Sequence, residues 1–195
     1  MTLEAGTEGE ETSPAQASAA QVLITWLALS VRDRRTNVTA PLRRSGRARP
    51  PQALPGMPTG VTPEIAIRVA RMFVRYHLPG DFRYSLRSTG YGDIGQALRR
   101  LSRCDPPEHP WQEAANRSME SLLHPRHQLP LRELEHALDT MHRARLAPPS
   151  WPLLIDDLTN WNVRSDSYPR NPRERWGWSF YDGPSARTPR PRSGS

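Results

Sequence analysis

Arg99, Arg100 and Arg103 are the side chains of this sequence whose type and spacing best suit a chemical task. Guanidinium is planar, permanently charged and shaped for two-point contact with phosphate, so the task would be neutralising a polyanion. All three lie in residues 92–103, which read GDIGQALRRLSR. As a helix, this stretch puts Ile94, Ala97, Leu98 and Leu101 on one buried face and projects Gln96 and the arginines from the opposite one. Asp93 falls where an N-cap carboxylate accepts from the first unpaired amides. Arg43 and Arg44, in the basic run 42–49, join the candidates. So do Arg71, on one flank with Arg68 and Arg75, and Arg117.

Other constellations point away from catalysis. Gly90, Gly92 and Gly95 fit G-x-G-x-x-G ahead of a helix, but a pyrophosphate cradle needs a preceding strand in a parallel unit, and residues 83–89 are short and polar. The glycines read instead as a flexible loop and a close helix contact. His124, His127 and His136, with Glu133 or Glu135, lack metal-ligand spacing, because Pro125 keeps the first two off a shared helix face. Asp156 and Asp157 diverge by about 100° on a helix and read as a solvated face. No nucleophile elbow is present. Trp151 and Trp161 fall on an inward stripe and read as core, while Trp178, near Arg175, could stack on a base. The reading is therefore a non-enzyme without metal or cofactor, whose chemistry is charge.

Composition agrees. The net charge is +7 and the pI near 10.6, so a large partner would be anionic. All 27 basic residues are arginine, as a GC-rich genome would favour. The single cysteine, Cys104, excludes an internal disulfide and a thiolate zinc cluster and suits a reducing cytoplasm. The acidic N-terminus, with Glu4, Glu8, Glu10 and Glu11, is wrong for a signal peptide, and the apolar run 22–29 is too short for a bilayer. The expectation is a soluble, cytoplasmic protein.

The elements that must position the arginines are helical. With 36% apolar residues and 21 prolines, both ends read as disordered tails, 1–17 acidic and 183–195 rich in Arg and Pro. A first helix runs from an N-cap at Ser18 to about Arg32, with Val22, Trp26 and Leu29 as its stripe and Ile24 and Leu27 widening it. Residues 38–60 read as a basic, Pro-rich connector. Further helices are expected over 63–77, from Asp93, over 108–124, 131–146, 151–161 and 172–181, each bounded by proline or a capping residue. The fold class is all-α: two small bundles packed together, an N-terminal lobe at 18–104 and a C-terminal lobe at 105–182.

Placed in order, these residues resemble a family. Residues 151–158 (WPLLIDDL) through Trp161, then Arg173, Arg175-Trp176-Gly177 and Phe180-Tyr181, are similar to the C-terminal signature of the CasB family. That family is the small subunit of the type I-E CRISPR surveillance complex, Cascade. Residues 94–101 resemble its mid-chain helix, residues 42–45 its early basic segment, and Leu122-Leu123 with Leu129-Pro130 its next helical junction. The resemblance runs from about 20 to 182. It departs at Arg117-Ser118-Met119, where a second arginine and an aromatic are usual, and at Ser150, where an acid is usual. The resemblance implies a non-catalytic antiviral subunit, present as two copies side by side and held by the backbone and large subunits. It implies contact with crRNA and target DNA that stabilises the R-loop, and it adds Arg164, Arg173 and Arg175 to the candidates. A helical protein–protein scaffold without nucleic-acid contact is the alternative.

Overall fold

The computed structural model describes residues 18–44, 54, 56–78, 90–104, 110–124, 128–161 and 171–182. Among them run α1 (Ala19–Arg32), α2 (Thr36–Arg44), α3 (Pro63–His77), α4 (Ile94–Ser102), α5 (Trp111–Leu123), α6 (Leu131–Arg143), α7 (Trp151–Thr159) and α8 (Pro172–Tyr181), with no strand. The class is all-α. Both expected tails lie outside the described residues.

Local chemistry sets the helix ends. Ser18 accepts from the Gln21 amide at 3.2 Å, Asp93 from Gln96 at 2.9 Å and Ser150 from Leu153 at 3.5 Å, each side chain satisfying a donor that has no intrahelical partner. Pro63 opens α3 at a position where its missing N–H costs nothing. Arg145, at φ 55°, turns the chain out of the helix, so α6 stops at Arg143 rather than running to Leu146.

Two expectations need correction. On α1 the buried residues include Leu23, Ile24, Leu27 and Val31, whereas Val22 and Leu29 are exposed. The widening positions carry the core because neighbours cover that side of the helix. Residues 38–44, read as connector, belong to α2 despite Pro41. The proline removes a bond to the carbonyl of Asn37, an exposed residue in the helix's first turn, where water can satisfy that oxygen. Burial of Val38, Thr39 and Leu42 outweighs that loss.

α3 lies between α1, α2, α6 and α7, and eleven of its fifteen residues are buried. Phe73, Tyr76 and His77 meet Trp151 of α7 in an aromatic cluster, with ring centroids 5.4, 5.9 and 5.9 Å from the indole. The indole N–H donates to His77 Nε2 at 3.1 Å, and burial, helped by His142, holds His77 down to about 4. His77 is thus the neutral acceptor that Trp151 needs. Tyr76 donates its hydroxyl to the Leu146 carbonyl at 2.6 Å.

α4 packs on α5 and α8, and α5 also packs on α6 and α8. The lobe boundary expected at 104/105 would part α4 from α5 and α8, the helices it packs on. Buried apolar side chains from all eight helices join in one cluster. α4 and α8 approach closely at Gly95, where an added Cβ would stand 2.0 Å from the Trp176 carbonyl oxygen and 2.8 Å from Ser179 Oγ. Only a residue without a side chain lets α4 and α8 meet there, which is the packing role its sequence position suggested.

Gly95→Ala should therefore destabilise the fold by about 2 kcal/mol or more, overriding the gain in helix propensity. In Gly177→Ala the new methyl meets only the Leu123 side chain, at 3.3 Å. That variant should stay within about 0.5 kcal/mol of the parent in urea denaturation.

Candidate nucleic-acid interface

The arginines expected to share one outward face have different neighbours. Arg100 turns inward. It donates to the carbonyls of Tyr91, Ala147 and Pro148, each at 3.3 Å, and its guanidinium lies 3.9 Å over the Tyr91 ring. Burial pulls its pKa below the usual arginine value, opposed by Tyr91, Tyr76 and Asp93. The carbonyls come from two loops already joined by backbone bonds, Ser150 to Gly92 at 2.8 Å and Tyr91 to Pro148 at 3.3 Å. Gly90 (φ 77°) and Gly92 (φ 69°) bend the chain into that junction, and a Cβ at Gly90 would collide with the Pro149 carbonyl at 1.9 Å. The glycine motif thus serves a loop-to-loop clasp with Arg100 as its pin.

Arg175 is also committed to the fold. It pairs with Asp157, whose carboxylate is completely buried and also accepts from the Trp176 indole at 2.7 Å. Its Nε stands 3.8 Å from Asp93, which in turn accepts from the Ser179 hydroxyl at 2.7 Å. Asp157 was expected on a solvated face. It instead faces inward with Leu154 and Trp161, and its spacing of three and four from those two residues carried that signal. Burial pushes its carboxyl up, while Arg175 and Trp176 pull it down and Asp93 adds to the rise. Arg71 is buried, at 8% exposure. Arg173 is half-buried, 5.4 Å over the Trp161 ring.

The outward set is smaller. Arg43 and Arg44, in the last turn of α2, and Arg103, at the C-cap of α4, are exposed, and Arg99 is half-buried. Arg117 is exposed on α5, 3.5 Å from Glu113. Arg164 and His127 lie outside the described residues. No group of three or more metal-ligating side chains occurs among the described residues, and no described helix is long and apolar enough to cross a membrane.

Arg117 lines a groove of about 800 Å³ between α5 and α6, with Arg132, His136 and Arg143. Those three were not singled out as a set, although their spacing with Thr140 places them on one helix face.

A family comparison identifies the chain. The family model of the CRISPR-associated protein Cse2 matches residues 38–181. The chain belongs to the Cse2 family. Cse2 and CasB denote the same small subunit of Cascade in type I-E CRISPR defence, a structural and generally non-catalytic component. No curated protein and no solved structure matches the chain. The Cse2 match begins within α2, so α1 lies outside it.

Two outcomes separate pinning arginines from surface ones in this Cse2 chain. Arg100→Gln should cost about 2 kcal/mol through lost charged hydrogen bonds, seen as a lower urea midpoint. Arg175→Ala should cost about 3–5 kcal/mol near neutral pH by leaving Asp157 buried without its cation. Because the folded state raises the Asp157 pKa, the fold loses stability as pH rises above the ordinary carboxylate range and Asp157 ionises. Removing Arg175 raises that pKa further. The deficit should therefore shrink as pH falls to about 4, in urea titrations compared across pH.

Proposed function

We propose that this chain supports the crRNA-guided R-loop within Cascade by neutralising nucleic-acid backbone through Arg43, Arg44, Arg99 and Arg103. Arg117 and, on sequence grounds, Arg164 belong to the same set. The observation that carries the reading is the exposure of Arg43, Arg44 and Arg103 at the C-terminal ends of α2 and α4, helices whose opposite faces are core. In a guide-directed complex, base pairing reads sequence, so an accessory subunit need only supply positive charge. Arginines without a base-reading arrangement meet that need. Arg71, Arg100, Arg173 and Arg175 act through the fold in this proposal, since burial or intramolecular contact already occupies them. Two copies side by side, held by the backbone and large subunits, complete the proposed setting.

Combining Arg43→Glu, Arg99→Glu and Arg103→Glu should lower target-DNA affinity of the assembled complex roughly tenfold or more at about 150 mM salt. The slope of log affinity against log salt should become shallower by about 2 to 3. Mobility-shift titrations over a salt series measure both. Unchanged affinity in an intact complex overturns the proposal. Failed assembly with intact DNA affinity assigns the arginines to subunit contacts, as in a protein-only scaffold.

A further inference from the structure

Arg68 and Arg71 share one flank of α3, three positions and so nearly one turn apart. Arg71 is only 8% exposed, and the Nε atoms of both are withdrawn from solvent without a hydrogen-bond acceptor. Among the described residues, neither guanidinium has an ion-pair or hydrogen-bond partner. Other arginines of the fold are compensated. Arg75, one turn beyond Arg71, takes Asp139 at 2.8 Å and Glu135 at 3.7 Å. Arg175 has Asp157, and Arg100 has three carbonyls. Glu64, the one carboxylate of α3 itself, is exposed four positions before Arg68 and makes no ion pair among the described residues. A charge taken out of water without a counter-ion is costly, and arginine cannot escape the cost by losing its proton. Arg71 therefore calls for an anion.

We infer that the chain's own N-terminal segment supplies it, its glutamates clasping Arg68 and Arg71. An anion for so deep a group comes from chain that folds around it, not from a ligand passing over the surface. Residues 1–17 carry Glu4, Glu8, Glu10 and Glu11 and no basic side chain. They lie outside the described residues, but the place where they join is fixed. An added Cβ at Gly60 would stand 2.8 Å from the Ala19 Cβ, so the start of α1 lies against the bend that leads into α3. From Gly60 the chain to Pro63 spans at most about 10 Å, and Arg71 lies about 12 Å further along the helix. From Ser18 back to Glu11 the chain extends to about 24 Å, and back to Glu8 to about 34 Å. The segment thus reaches both arginines without crossing the molecule. The Cse2 match begins at residue 38, so the segment belongs to a part of the chain that the family does not define. With the clasp closed, Arg68 and Arg71 are withheld from any other anion.

The test compares the full chain with a variant carrying Glu4→Gln, Glu8→Gln, Glu10→Gln and Glu11→Gln, changes that remove charge and leave the eight helices untouched. At about 20 mM salt the variant should melt roughly 2–4 °C below the parent, and the gap should close by about 0.5 M salt. In an Arg68→Gln, Arg71→Met background, the same four changes should move the melting temperature by less than about 1 °C. A second measurement serves where that double arginine variant does not fold. The Arg71 Nε–H, followed by nuclear magnetic resonance, should exchange with solvent roughly tenfold faster in the glutamine variant than in the parent. An equal drop in melting temperature in both arginine backgrounds reflects net charge alone and overturns the inference. Unchanged Nε–H exchange overturns it as well. Protection of that N–H that grows with protein concentration assigns the contact to another copy. Protection that appears only with an added 15-nucleotide oligo-dT assigns it to a phosphate. Either result overturns the clasp within one chain.

Discussion

The completely buried Asp157 is the constraint around which the α4–α7–α8 half of this protein is arranged. A carboxylate without water must be compensated on several sides at once. Arg175 and Trp176 do so from α8, tying that helix to α7. The same arginine reaches toward Asp93, which caps α4 and accepts from Ser179. Gly95, the second residue of α4, then lets the two backbones close. One polar requirement thus sets the position of the helix that carries Arg99 and Arg103.

The sequence has no lysine, so arginine alone meets three different demands. Arg175 compensates a buried charge. Arg100 joins two loops through carbonyls, a task for a planar group with several donors. Arg43, Arg44 and Arg103 stand at the surface. A polyanion can engage only the last kind without disturbing the fold. The net positive charge of the sequence therefore overstates what is offered to a partner.

Much of this architecture was legible before any coordinates. Ser18, Asp93 and Ser150 announced their helices because capping is local chemistry. Trp151, Trp161 and the apolar face of α3 followed from periodicity. What escaped depended on tertiary neighbours. Nothing within a few residues of Arg100 reveals that the carbonyls of Ala147 and Pro148 will face it. Val22 and Leu29 scan like a stripe, yet the covering helices lie on the other side of α1. Asp157 was legible in principle from its spacing to Leu154 and Trp161, but adjacency to Asp156 suggested two solvated acids. The α5–α6 groove arises where two helices face each other, a relation that neither sequence alone contains.

The burial of α3 has a temporal consequence. Its apolar surface is closed in part by α7, and His77 meets its partner Trp151 across 74 positions of chain. At about 5–20 residues per second of synthesis, that separation is roughly 4–15 s. Throughout that interval the nascent chain presents the apolar face of α3 with its final cover still inside the ribosome. Cellular yield of this subunit should accordingly respond to the speed at which codons 78–151 are read and to the holdases waiting at the tunnel exit.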